Sequence, residues 1–427
     1  MRIVIVGDLQ FSSDTRSITE RAMEDVRVCK PDLVIPMGDY GSPTRIGYPE
    51  GLYEAKYWLE QAQCRIRPIL GNHDLQHEIG RGRLPHGTME AAARDCFGLE
   101  DTFGVEEYDD FRIIFVSLDS WTHEPPYSAN ECYVSDAHFS WIEQTIAQRP
   151  GKPVIMLTHA PSIGSGLMTV PQVHVRATNA FMDQNIHPHR WRSLAQHPEI
   201  VLWLSAHYHL GHDHPHSLRT DGNIAYALVG VHNECNRDGQ RHSRVLDIKN
   251  GTLAVHTLDH ETRTLRETPD WVSAGGMGAC VGRRSAAQGA GTFLLAPFWD
   301  EAMSQTIADG RKYVLTHDNY LWEIDPETGA AMGTLHYAPD RLEGFTVFGN
   351  IMYRWTKDTL FAADVQSPWR FSRESFAADD HRQEAKTTLC SRVLRADTSG
   401  SCLRLYTEAG IWRVSGDAQK IRLQPEV

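Results

Sequence analysis

Apolar runs that stop abruptly at small or acidic residues set the rhythm of the first 260 positions. Residues 2–7 (Arg-Ile-Val-Ile-Val-Gly) read as a buried strand ending before Asp8. Ile18, Ala22, Met23 and Val26 then recur at helical spacing behind the capping-box pattern Ser17-x-x-Glu20. Residues 32–37 predict a second strand, 50–63 a helix and 66–70 a third strand. This opening is βαβαβ, which predicts a largely buried, mostly parallel sheet with its chemistry beyond the strands' carboxyl ends. A short helix is predicted around 88–97 and a capped helix over 135–148, with another over 191–197. Strands are predicted over 111–118, 153–157, 200–204, 223–231, 243–248 and 252–258. Two long irregular connections, 75–110 and 160–190, lie between these elements, where specificity is usually carried.

The pattern changes beyond 265. Residues 266–290 are rich in Gly, Ala and Ser, as in Ser273-Ala274-Gly275-Gly276, which is linker composition. The expected division is therefore a domain over 1–265, a linker over 266–290 and a β-rich accessory domain over 291–427. In the last part, hairpin-like stretches recur around Leu321, Leu360 and Ile411, which are 39 and 51 residues apart. That spacing is near a propeller blade, and Asp325-Pro-Glu-Thr-Gly329 resembles the turn of quinoprotein-like propeller repeats. Three units are too few to close a propeller, and a small antiparallel sheet or sandwich fits the pattern equally well.

Composition narrows the function classes. Lys and Arg number 42 against 55 Asp and Glu, a net charge of -13, which opposes general nucleic-acid binding. No uncharged apolar segment reaches the roughly 18 residues of a membrane helix, and Met1 leads straight into a strand without a signal-peptide pattern. A cytoplasmic location is expected. The eight cysteines are scattered with no C-x-x-C pair, which suits reduced thiols and argues against a zinc ribbon.

Five polar clusters follow apolar runs in order: Asp8-Leu9-Gln10, Gly38-Asp39, Gly71-Asn72-His73-Asp74, Thr158-His159 and His207-Tyr208-His209. Hard oxygen donors, neutral imidazoles and a bridging carboxylate are what a pair of divalent metal ions requires. Each residue alone reads as a turn or loop residue; together they read as a metal site. In residue type and order the clusters resemble the calcineurin-like metallophosphoesterases over roughly residues 1–260, including a stretch at Val134–Glu143 like the helix before that family's lone His.

The resemblance implies an α/β (α+β) fold of layered β-sheets flanked by helices, with the β-rich region appended. It implies that Asp8, Asp39 and His209 hold one metal while Asp39, Asn72, His159 and His207 hold the other. A hydroxide between the metals would attack phosphorus, and His73 would stabilise the transition state or protonate the leaving oxygen, with Asp74 available to orient it. Two positions depart from the family pattern. Ala206 stands where a glycine is usual, and Gln10 stands where the family has histidine, giving a harder and weaker donor. Gln10 would then be a weak ligand that biases the site toward Mn or Mg, with Fe or Zn as other choices. A D-x-Q first motif also resembles the Mn-dependent ADP-ribose/CDP-alcohol diphosphatases.

The expected activity is hydrolysis of phosphodiester or diphosphate bonds in a small, soluble phosphorylated substrate. Two alternatives stay open: a phosphomonoesterase or protein phosphatase, and a binding protein with a degenerate metal site. Region 291–427 is the expected place for protein contact or oligomerisation. His212, His214 and His216 are expected to be solvated or capping residues, while Asp119 is a weaker candidate for the site. Arg81, Arg83, Arg176 and Arg190 lie in the two long connections, where one of them could clamp a substrate anion.

Overall fold

β1 (Arg2–Val6) is buried on both faces from Ile3 onward, as a fully apolar run demands. The computed structural model describes the chain except residues 12–15, 79–82, 121–131, 163–164, 166, 168–187, 214–216, 267–268, 283–301, 309–310, 317–320, 325–330, 337–341, 365–384, 418–419 and 427. After β1 come α1 (Arg16–Val28), β2 (Leu33–Pro36), α2 (Pro49–Leu59), β3 (Arg65–Ile66), α3 (Asn72–Leu75), α4 (Thr88–Phe97), β4 (Gly104–Glu107) and β5 (Arg112–Val116). Then follow α5 (Asp136–Ala147), β6 (Val154–Thr158), α6 (Pro188–Leu194), β7 (Ile200–Ser205), β8 (Leu218–Asp221) and β9 (Ile224–Leu228). β10 (His242–Lys249), β11 (Thr252–Asp259), β12 (Thr264–Leu265) and β13 (Trp271–Val272) finish the first unit's strands. Ser17 lies inside α1 rather than capping it, because the helix is already formed at Arg16.

These strands form two sheets, the layered arrangement expected, and the βαβαβ opening supplies the parallel strands β1, β2 and β3 of one of them. One runs β12-β11-β10-β1-β2-β3 with β13 added to β11; the other runs β4-β5-β6-β7-β9-β8. β1, β2 and β3 are parallel, as are β5, β6, β7 and β9; the first sheet carries antiparallel strands on one side of its parallel set, the second on both. Ile3, Ile5 and Ile35 from the first sheet share a core with Phe115, Ile155, Leu157 and Leu204 from the second. Burying both faces of each parallel core requires that pairing of sheets as well as the helices. Periodicity could not show it, since β1's second neighbour, β10, lies more than 200 residues away.

The chain divides into a first unit reaching Gln288 and a second unit that is mainly Gly289–Val427. The expected linker begins too early. β13 pairs with β11, Met277 and Cys280 are buried in the first unit's core, and the Gly282 N–H donates to the Pro198 carbonyl at 3.1 Å. A fragment ending at residue 282 is therefore expected to be more stable than one ending at 266, by at least about 2 kcal/mol for the buried side chains retained. Urea denaturation of both fragments checks this; equal midpoints would return residues 267–282 to the linker.

The second unit contains three four-stranded antiparallel sheets. They are β14 (Ala302–Ala308) to β17 (Ala331–His336), β18 (Gly344–Phe348) to β21 (Ala385–Thr388), and β22 (Val393–Asp397) to β25 (Lys420–Pro425). Each repeat noted in the sequence is the central hairpin of one sheet. Leu315 pairs with Leu321, Trp355 with Leu360, and Leu405 with Trp412. In the third sheet Ile411 pairs with Tyr406 and is exposed, where Leu321 and Leu360 are buried. Among the described residues, no helix is long and apolar enough to cross a membrane.

Candidate metal centre

All five polar clusters sit at the carboxyl ends of strands, or just beyond them. Asp8 follows β1, Asp39 follows β2, and Asn72 opens α3 after the extended residues beyond β3. His159 follows β6, while His207 and His209 follow β7. Asp8, Asp39, His207 and His209 take positive φ values of 32°, 59°, 64° and 54°, the left-handed region that non-glycine residues enter at a cost. Four strained residues converging on one place mark a site whose geometry outranks local comfort. Gly71 makes this convergence sterically feasible: a Cβ there would lie 2.3 Å from Asp39 Oδ1 and 2.7 Å from the His159 ring. Ala206, by contrast, is not in the left-handed region and is buried without difficulty.

The side chains form two groups able to hold a metal ion, Asp39 with His159 and His207, and Asp8 with Asp39 and His209. Within each, the ligand atoms lie within 4.8 Å of one another, and all five residues are buried. Asp39 belongs to both, the arrangement a bridging carboxylate requires. The imidazoles are oriented from behind. His159 Nδ1 donates to the Met37 carbonyl at 2.6 Å, and His209 Nδ1 donates to the Cys235 carbonyl at 2.9 Å. A carbonyl only accepts, so both rings present Nε2 to the centre, as metal-binding histidines do. Asn72 is buried beside them, its Oδ1 2.9 Å from His159 Nε2.

The donor set fits this centre to cations. Among the described residues, Asp8 Oδ1 faces the buried His209 ring, whose Nε2 lies 3.1 Å away, and His207 turns Nδ1 to within 3.2 Å of His159 Nε2. Crowding a carboxylate oxygen and imidazole nitrogens together in a buried place is costly, and bound cations would satisfy them. Gln10 is half-buried at the edge, its amide nitrogen 3.5 Å from Asp39 Oδ2. Turning that amide would offer its oxygen instead. Gln10→His is expected to tighten metal binding by at least about tenfold, the size of effects caused even by groups just behind a metal's ligands. Mn titration of metal-free protein checks this; an unchanged affinity would remove Gln10 from the ligands.

Charge is finely opposed here. Burial disfavours the charge on His159, but Asp39 and Asp8 override it and raise its pKa to about 9. For Asp39, burial is likewise outweighed, by the positive fields of His159, His73 and His207, which hold it well below the carboxylate range. Burial, reinforced by His159, pushes His207 well down. Without metal, His159 therefore keeps a proton at neutral pH, and a metal must displace it. Metal uptake should release protons, with apparent affinity rising as pH increases toward about 9. Calorimetry in buffers of different ionisation enthalpy measures this; no proton release would exclude His159 as a ligand.

Several residues sit differently from their sequence-based expectation. Asp74 does not orient His73. Its carboxylate accepts from the backbone N–H groups of Asp39, Tyr40 and Gly71 at 2.9, 2.8 and 2.7 Å, and the ring partner of His73 is Gln76. Burial and the neighbouring Asp39 charge raise Asp74 to about 7 against the pull of those amides. Asp119 accepts from Ser135 N and His138 Nδ1 and so anchors the start of α5. His212 is buried rather than solvated, bonded to Thr257 and the Val229 carbonyl, while His214 and His216 lie outside the described residues. Arg190 is tied to α5 through Asp136 and Glu143, and Arg83 bonds Tyr48. Arg81 and Arg176 lie outside the described residues.

Sequence reading missed the segment after Val231. Asn233 donates to the Gln10 carbonyl, Cys235 orients His209, and half-buried Arg237 has the charges of Asp8 and Asp39 within electrostatic reach. The signal was present, since His232–Arg237 is another polar cluster after a strand-like run.

Among solved structures, the chain is similar to purple acid phosphatase PPD1 from yellow lupin (Lupinus luteus) seeds, at 13% identity and a TM-score of 0.45. That match covers 62% of this chain and 52% of the lupin chain, about half its length. Yfce, a phosphoesterase from E. coli, matches at 12% identity and a TM-score of 0.28, covering 64% of this chain and 99% of its own. Wild-type Vps29 from Entamoeba histolytica, complexed with Zn2+, matches at 8% identity and a TM-score of 0.29, covering 62% and 96%. No curated protein sequence matches the chain significantly. The family model for calcineurin-like phosphoesterases matches residues 1–211, the segment that holds all five clusters, so the chain carries a calcineurin-like phosphoesterase domain over those residues.

Proposed function

We propose that the first domain hydrolyses phosphodiester or diphosphate bonds in a small soluble substrate, using two divalent cations held around Asp39. The observation that carries this reading is the pair of buried ligand groups sharing one carboxylate. Two cations there supply charge stabilisation for the phosphoryl oxygens and a nucleophile at neutral pH. Oxygen donors from Gln10 and Asn72 beside the carboxylates favour Mn or Mg among those cations. The chain's own residues do the rest. Met37 and Cys235 hold the ligand imidazoles in one tautomer. His73 is half-buried where the three ligand histidines are buried, so it stands at the mouth of the centre and can pass a proton to a leaving oxygen. Arg237 adds a guanidinium near Asp8 and Asp39. A diester group presents one negative charge and a terminal monoester about two, and a single guanidinium matches the first.

A substrate panel with Mn, Mg, Fe and Zn tests the proposal: an aryl phosphomonoester, an aryl phosphodiester, cyclic nucleotides, ADP-ribose, CDP-alcohols and a phosphopeptide. Diester or diphosphate turnover should exceed monoester turnover. Monoester turnover at least about tenfold higher, a difference of roughly 1.4 kcal/mol in barrier, would reverse the ranking. Two bound metals with no turnover of any substrate would favour a binding protein.

A further inference from the structure

We propose that Gln76 is the positioning residue of His73, locking its ring so that Nδ1 carries a fixed proton and Nε2 is left for the leaving oxygen. This rests on the hydrolytic reading above. The argument begins at a backbone carbonyl. Gln76 Nε2 donates to the Ile46 carbonyl at 3.2 Å, and Gln76 Oε1 lies 2.8 Å from His73 Nδ1. A carbonyl can only accept, so the amide must turn its nitrogen toward Ile46; the reverse orientation would set oxygen against oxygen. Oε1 therefore faces the ring, and because it too can only accept, Nδ1 must bear hydrogen. Neutral His73 is fixed as the Nδ1–H tautomer, and its reactive atom is Nε2.

The rest of the local structure holds this relay still. His73 and Gln76 are three residues apart along the turn of α3, the spacing at which helical side chains meet. The His73 N–H donates to Asp39 Oδ1 at 2.9 Å, which fixes the ring's backbone against the metal centre. His77, next to Gln76, packs tilted against Tyr48 with ring centroids 4.3 Å apart. Asp74 cannot take Gln76's place, since both its oxygens are engaged by backbone amides.

In the proposed step the oxygen of a hydroxide, drawn from water whose other proton passes to solvent, forms a bond to phosphorus. The bond from phosphorus to the leaving oxygen breaks as it forms, and that leaving oxygen takes the electron pair together with the proton on Nε2. The ring enters protonated on both nitrogens and leaves neutral as the Nδ1–H form that Gln76 accepts, after which solvent returns the proton. Without Gln76 the ring is free to rotate or to adopt the other tautomer.

The test compares wild type with Gln76→Leu, which removes the acceptor. Two diesters are used that differ in leaving group, one a nitrophenoxide and one a simple alkoxide. Only the alkoxide needs a proton as it departs. Gln76→Leu should lower kcat on the alkoxide ester by roughly a hundredfold, the lower range for a lost proton donor, and on the nitrophenyl ester by less than about threefold. KM and bound metal should be unchanged. Independently, 15N spectra of histidine-labelled, metal-free protein at alkaline pH should show His73 as Nδ1–H in wild type and as a mixture in Gln76→Leu. Equal losses on both esters, or Nε2–H in wild type, would overturn the inference. If wild type cleaves neither ester with metals bound, the hydrolytic reading fails, and the spectra alone decide the role of Gln76.

Discussion

Asp39→Asn is expected to leave the protein folded while removing its metal and lowering turnover on the order of a thousandfold or more, the several kcal/mol that metal-ion catalysis supplies. Asp39 is the one residue in both ligand groups, so neutralising it weakens both metals and leaves any that remain without the anion between them. Asn suits the backbone, because it is among the few residues that tolerate a φ of 59°. It can also keep an oxygen toward the His73 N–H, which now meets Asp39 Oδ1 at 2.9 Å. The melting temperature of the metal-free protein should fall modestly at neutral pH, because Asp39 and His159 each favour the other's charge and that pairing is lost, while metal analysis and kinetics collapse together. Retention of two metals by a folded Asp39→Asn protein would show that the bridge lies elsewhere.

Asp74→Ala should fail in the opposite way, by unfolding. The Asp74 carboxylate gathers the N–H groups of Asp39, Tyr40 and Gly71, so it ties the loop after β2 to the start of α3. Removing it strands three buried donors at about 1–3 kcal/mol each, a loss of at least about 3 kcal/mol. The urea midpoint of the first domain should fall accordingly. Asp74→Asn should recover little, since its NH2 would face an N–H in place of an acceptor. A normally stable Asp74→Ala protein that had lost only kcat would restore to Asp74 the catalytic task that its hydrogen bonds now deny it.

Much of the centre was legible because its residues are punctuation. Asp8, Asp39, His159 and His207 each end or follow an apolar run, and a strand's carboxyl end is where a parallel sheet presents chemistry. The polar partners were not legible, because they are mostly backbone. Nothing in the letters says that the carbonyls of Met37 and Cys235 hold His159 and His209, or that Ile46 turns Gln76 toward His73. Asp74 was misread for the same reason: adjacency to His73 in sequence suggested a partner, but its real partners are amides on two loops. In the fold, strands were readable from their runs while their pairing was not. Ile411 makes the point in small: it is as apolar as Leu321 and Leu360, yet it is exposed where they are buried.

The long reach between β1 and β10 has a consequence for the order of events at the ribosome. β1 is made long before its neighbour β10, which begins at His242, although it sits between β2 and that strand. Asp8 meets its companion His209 only after two hundred further residues have been made, and the Cys235 carbonyl that aims His209 comes later still. Through that interval one of the two ligand groups is incomplete. On the proposed reading, metal choice is deferred until then, when the shape of the finished centre, and not the affinity of loose histidines, does the choosing.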